Sequence, residues 1–207
     1  MLHRNTEREH ATVSLRDTSS VESQQANPFL SDPLKFSSGI CSAGSLVVQF
    51  TSLSTSYWML ESTRKGLVHG GLWRICLGPT CTFYRFHLLA PQIHVTRGFL
   101  LMACFCGLIS LLCICVSFEH NDLYGISVVR TAAFLSFLTG FLIMIGMSIF
   151  TTFYRRSKAY TEFLLIFGSS YGLGWASIPL YAMTGILLVL THKTIVSEQW
   201  IQSSLDI

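Results

Sequence analysis

Apolar positions along this chain recur neither every second residue nor on one helical stripe; they are bunched into long runs divided by short polar stretches. Residues 98–118 form a run of 21 without a charge. As a helix rising about 1.5 Å per residue, that run covers roughly 30 Å, the thickness of a bilayer's hydrocarbon core. Residues 131–153 repeat the pattern, and residues 163–190 are equally uncharged, with Pro179 expected to bend or loosen the helix. Residues 37–57 also lack charge but are full of Ser, Thr and Gly, which makes them a marginal span when taken alone. Small residues let helix backbones approach closely, so this segment suits the inside of a bundle. The pattern predicts three clear membrane-spanning helices and residues 37–57 as a weaker fourth. Both tails then lie on one side, and two loops, 58–97 and 154–162, lie on the other.

Composition agrees with a bilayer as first partner. Half the residues are hydrophobic and 12% are charged, against roughly 25% charged in a soluble domain. The net charge of +3, with no Lys/Arg-rich run, gives no footprint for nucleic acid. Residues 1–36 are polar and Ser-rich, without the apolar run of a signal peptide, and are expected to be a disordered cytoplasmic tail. Residues 191–207 are expected to form a second cytoplasmic tail.

Charge and cysteine disagree about orientation. The two loops carry Arg64, Lys65, Arg74, Arg85, Arg97, Arg155, Arg156 and Lys158. The positive-inside rule alone would put these loops in the cytosol. Cys76 and Cys81, however, flank Leu77-Gly78-Pro79-Thr80, and Gly-Pro is a turn signal. A tight turn sets two strand residues opposite each other, within the disulfide range of about 4.4–6.8 Å between Cα atoms. The alternative is two free thiols. A bridge over so short a ring contributes only about 2 kcal/mol in the loop-entropy picture, and it implies an oxidising compartment. The cysteine argument outweighs the charge count and places the loops outside the cell.

The remaining cysteines lie in the apolar runs. Cys41 is in the first; Cys104, Cys106, Cys113 and Cys115 are in the second. Residues two apart on a helix point about 200° from each other, so neither Cys-x-Cys pair chelates a metal by itself. They read as small apolar filler, with Cys113 and Cys115, near the expected cytoplasmic end, as candidate palmitoylation sites.

Trp58, then Gly71-Leu72-Trp73, then Cys76 and Cys81 stand in order along the first loop. This succession resembles the W–GLW–C–C signature of the claudin superfamily, and the four-residue gap between cysteines resembles the branch of peripheral myelin protein, epithelial membrane proteins and lens fibre membrane intrinsic protein. Arg97 matches the arginine that opens the family's second span. Residues 170–180, SYGLGWASIPL, are similar to a stretch of its fourth span that contains Trp175 and Pro179. The likeness runs from about residue 40 to 190. The long N-terminal tail and the polar first span depart from it, and Asn5, Asn27 and Asn121 all lack the glycosylation pattern.

The resemblance implies an all-α membrane bundle of four helices, topped by a small extracellular antiparallel β-sheet built from the first loop with a strand from the second. Trp58 would sit at the membrane interface, a favoured place for an indole. Leu72 and Trp73 would pack beside it, and Arg97 would donate to loop carbonyls. Gly168-x-x-x-Gly172, Ala103-x-x-x-Gly107 and Ser136-x-x-x-Gly140 have the spacing of close helix packing, within the chain or between copies. The two loops carry a net charge near +6, either a solvated surface or an attraction to an acidic extracellular partner.

His69, His87 and His94 show no metal-ligand spacing, and no nucleophile motif or phosphate loop appears. The expectation is therefore no catalysis, no cofactor and no metal. With no retention signal at the end of the chain, the expected location is the plasma membrane, multi-pass, with both termini cytoplasmic. By the resemblance, the chain would organise cell–cell contact, junctions or membrane domains, as a homo- or hetero-oligomer with other membrane proteins. A second reading is an auxiliary subunit of a channel, receptor or transporter. A paracellular barrier fits less well, because the loop is short and the chain ends Ser-Ser-Leu-Asp-Ile.

Overall fold

The computed structural model describes residues 31–63, 66–85, 90–119, 122–123, 126–158 and 165–205. The expected tail over residues 1–30 lies outside them, as do Arg64, Lys65, His87, Glu162 and Ile207.

Four helices form the bundle: α1 (Ser31–Ser54), α2 (Pro91–Val116), α3 (Val128–Lys158) and α4 (Ser169–Leu205). By length and composition α2, α3 and α4 are apolar enough to cross a membrane. The ends differ from those read off the uncharged runs, for local reasons. α1 starts six residues before residue 37, where Ser31-Asp32-Pro33 supplies an acidic first turn and a ring already set to helical φ. Its Lys35, expected in the tail, is buried, and Nζ donates to the Ser117 carbonyl just past the end of α2 at 3.1 Å. α2 likewise opens on a proline, Pro91, with no acidic residue in its first turn.

α4 does not stop near residue 190. Tyr181, Thr184, Leu188, Thr191 and Ile195 continue one buried seam at alternating spacings of three and four. Ile195 joins Ile114, Val129 and Leu188 in a cluster at this end of the bundle. The expected tail from residue 191 is therefore helical as far as Leu205. The helix also runs without interruption through Pro179.

At the other end sits a five-stranded antiparallel sheet. In chain order its strands are β1 (Met59–Thr63), β2 (Gly66–Gly70), β3 (Arg74–Leu77), β4 (Thr80–Phe83) and β7 (Leu165–Phe167), ordered β4-β3-β2-β1-β7 in space. Two short strands, β5 (Asp122–Leu123) and β6 (Ile126–Ser127), form a hairpin between α2 and α3. β7 takes residues expected in the fourth span. A short apolar run without charge reads alike as strand or helix, and here Met59 to Glu61 offer it a partner edge.

Strand pairing sorts the sheet into two faces, because directly opposed residues share a side. Met59 pairs with Gly70 and Phe167, and both Met59 and Phe167 pack on the core of the bundle. That face looks at the helices. Leu60, His69, Cys76, Cys81 and Ile166 therefore share the opposite face.

Candidate functional site

The end of α1 and the first turns of the sheet form one hydrogen-bonded joint. A helix leaves its last four carbonyls without intrahelical partners, and such groups are costly when buried. Thr51 O accepts from Thr55 N at 3.2 Å and from Thr55 Oγ1 at 2.6 Å. The next two carbonyls are taken by indoles: Trp58 Nε1 donates to Ser52 O at 2.7 Å, and Trp73 Nε1 donates to Leu53 O at 2.9 Å. The two tryptophans therefore cap a helix that precedes both of them in sequence. Trp58 is fully buried, edge-on to Phe150 of α3 with ring centroids 4.9 Å apart, and near Tyr171 of α4.

Arg97, in the second turn of α2, closes the joint from the far side. Its Nε donates to Leu72 O at 2.8 Å, and Nη2 donates to the same oxygen. The guanidinium lies 4.7 Å over the Trp73 ring, a cation–π contact. Leu72 itself is fully buried. Tyr84 lies nearby; burial pushes its phenol above the ordinary value, with the Arg97 charge pulling the other way.

Two glycines allow the backbones to meet. A Cβ on Gly71 would come within 2.6 Å of Ser56 Cα and Thr55 O. A Cβ on Gly168 would overlap the Tyr57 carbonyl, and Gly168 N donates to Trp58 O at 3.0 Å. Gly168 thus sits just before α4 and joins β7 to the chain leaving α1. Gly172 has no heavy atom within 4 Å of its Cβ position. Trp175 is about one-third exposed, edge-on to Tyr171, and Pro179 is exposed. Close helix approaches fall at the expected Gly107, against Tyr181, and also at Gly174 against Met147 and Gly185 against Phe137.

Cys76 and Cys81 stand directly opposite each other in β3 and β4 and are joined by a disulfide, with Cα atoms 4.0 Å apart. The connecting turn is only Gly78-Pro79, and Gly78 takes φ 58°, which its missing Cβ permits. Cys76 is buried and Cys81 exposed. His69 pairs with Cys76 across β2 and β3, its ring stacked on Tyr57 at 4.6 Å. At the other end of the molecule Cys113 is partly buried and Cys115 exposed on the last turn of α2.

Sequence reasoning missed the polar seam of α1. Lys35, Ser38, Ser42, Ser45, Gln49 and Ser52 recur at spacings of three and four, and all are buried. Gln49 Nε2 donates to Leu100 O at 3.3 Å, and Ser52 Oγ donates to Ser170 O at 2.6 Å. The lipid-side residues Phe36, Ile40, Val47 and Phe50 are exposed. The periodicity was legible, but as a polar stripe rather than an apolar one.

The sequence profile of the PMP-22/EMP/MP20/Claudin family matches residues 36–188. The chain is 23% identical to the lens fiber membrane intrinsic protein of Homo sapiens, over 74% of this chain and 88% of that protein. It is 28% identical to protein NKG7 of Mus musculus, over 72% and 87%. The likeness to protein NKG7 of Bos taurus is 27%, over 79% and 94%.

Proposed function

Since the chain belongs to the PMP-22/EMP/MP20/Claudin family, we propose that it is a non-catalytic four-pass protein of the plasma membrane that organises cell–cell contact through its sheet. The observation that carries this reading is the exposure of large apolar side chains on the sheet face turned away from the bundle. Ile166, Leu67 and Phe83 are 52, 56 and 70% exposed there, on β7, β2 and β4. Three large apolar side chains exposed on one sheet face offer an interaction surface. Arg74 lies 4.8 Å over the Phe83 ring, which adds positive charge to that surface and suits a partner carrying acidic groups among apolar ones.

The bridged hairpin supports an oxidising compartment for the sheet, and four helices then return both termini to the cytosol. In that orientation Cys113 and Cys115 approach the cytosolic leaflet, where acyl transfer takes place. The joint of Trp58, Trp73 and Arg97 would hold the contact face rigidly over the bundle, so that little ordering cost falls on association.

Mixed populations of dye-marked cells test the reading. Expression on both partners is expected to promote contact, and Leu67→Glu with Phe83→Glu is expected to abolish it while leaving surface delivery intact. An impermeant thiol reagent should reach Cys76 and Cys81 on intact cells only after reduction. Labelling that instead requires permeabilisation, or contact unaffected by the two substitutions, overturns the proposal.

A further inference from the structure

The bridged hairpin has a third member that a disulfide does not need. His69, Cys76 and Cys81 bring one ligand atom each to within 4.8 Å of one another, in register across β2, β3 and β4. We propose that reduction of the Cys76–Cys81 bond converts this hairpin into a site for one divalent ion of the zinc class, held by two thiolates and the His69 imidazole.

The donor set suits such an ion. A tetrahedral ion with Zn–S near 2.3 Å and Zn–N near 2.0 Å needs its ligand atoms about 3.5–3.8 Å apart, so the two sulfurs must separate once the bond is cut, while all three atoms already lie within 4.8 Å of one another. Three protein ligands leave the fourth position to water. The sheet register fixes the three Cα positions, and the parallel stack of His69 on Tyr57, 2° between planes, holds the imidazole by its face and leaves its edge for coordination. Cys76 is buried at 1% exposure, so a thiolate there would be desolvated unless paired with a cation. Among the described residues this is the one group of three His, Cys, Asp or Glu side chains with that closeness.

Oxidation state gates the site. Bridged sulfurs carry no thiolate and are poor zinc ligands. Cys81 is exposed and Cys76 is not, so an incoming small-molecule thiolate attacks Cys81 Sγ. The S–S bond breaks, Cys76 leaves as thiolate, and a mixed disulfide remains on Cys81. A second thiol releases Cys81 and departs as part of the external disulfide, so two electrons and two protons enter the hairpin. Metal binding then displaces both thiol protons. Under reducing conditions the ion would hold β3 and β4 together in place of the sulfur bond. Because the site needs neither a membrane orientation nor a protein partner, it stands apart from the contact reading.

The test uses the full chain in lipid nanodiscs, reduced with a water-soluble phosphine and titrated with Co²⁺ as the optical stand-in for zinc. One equivalent is expected to give a thiolate-to-cobalt charge-transfer band that Zn²⁺ displaces and that the bridged protein lacks. Cys76→Ser with Cys81→Ser should remove the band. His69→Ala should weaken Co²⁺ binding at least tenfold, while its bridged form keeps the wild-type circular dichroism. A variant with Cys41, Cys104, Cys106, Cys113 and Cys115 all changed to Ala should keep the band. Absence of the band in the reduced chain, its survival without Cys76 and Cys81, or an unchanged affinity in His69→Ala overturns the proposal.

Discussion

Helices α1 and α2 are nearly equal in length, 24 and 26 residues, and lie side by side, yet their surfaces are arranged oppositely. α2 is apolar nearly all round. It shows Phe105, Leu108 and Leu112 outward and buries Leu100, Ala103 and Ile114. α1 keeps apolar residues for the outside and turns Ser38, Ser42, Ser45, Gln49 and Ser52 inward. Between them an apolar groove of about 480 Å³ opens on the bundle surface, lined by Leu46, Val47, Phe50, Leu101, Phe105 and Leu108. A helix such as α2 can enter a bilayer on its own hydrophobicity. α1 is held by directed bonds from Lys35, Gln49 and Ser52 to the carbonyls of Ser117, Leu100 and Ser170, and by the indole caps on its last turn. Its place depends on the rest of the fold.

Loss of a cap should do the most damage to α1. Trp58→Ala removes a fully buried indole and should cost about 3–5 kcal/mol, whereas Trp58→Phe loses mainly the bond to Ser52 O and should cost about 1–3 kcal/mol. Thermal unfolding in nanodiscs measures both, and a Trp58→Phe variant as stable as the wild type would show that the N–H contributes nothing.

Next in size is a change expected to act in opposite directions in two settings. In an insertion reporter carrying α1 alone, Ser42→Leu with Ser45→Leu should favour integration by roughly 1 kcal/mol or more. In the full chain the same pair overpacks two positions that are at most 1% exposed and should destabilise by about 1–3 kcal/mol. Gains in both settings would mean that the inward polar face has no structural role.

Smallest is the contrast between a seam bond and a lipid-facing side chain. Ser52→Ala should cost about 0.6 kcal/mol, a usual value for a bond between helices in lipid. Phe105→Leu, on a residue 65% exposed, should stay within about 0.5 kcal/mol. A larger effect at Phe105 than at Ser52 would reverse the assignment of faces.

Much of the frame is legible in the residues alone. The apolar runs of α2, α3 and α4 are set by a demand that falls on each residue separately, since a bilayer core tolerates little charge wherever a residue lies in the fold. The order Trp58, Gly71-Leu72-Trp73, Cys76, Cys81, Arg97 points to the family whose profile matches residues 36–188. Element ends are less legible. Leu165, Ile166 and Phe167 look like the start of a span until Met59, Leu60 and Glu61 are placed beside them.

The chain's own pattern thus establishes that it belongs in a membrane, where its three most apolar helices lie, and which loop carries Cys76 and Cys81. It took the folded arrangement to make Trp58 and Trp73 the caps of α1, to set Arg97 on the Leu72 carbonyl, to turn the serines of α1 inward, and to stand His69 beside the bridge. The difference lies in the range of the forces involved. Transfer into a bilayer is summed residue by residue along the chain, whereas a hydrogen bond to a backbone group many residues away exists only once the fold has brought the two atoms within about 3 Å.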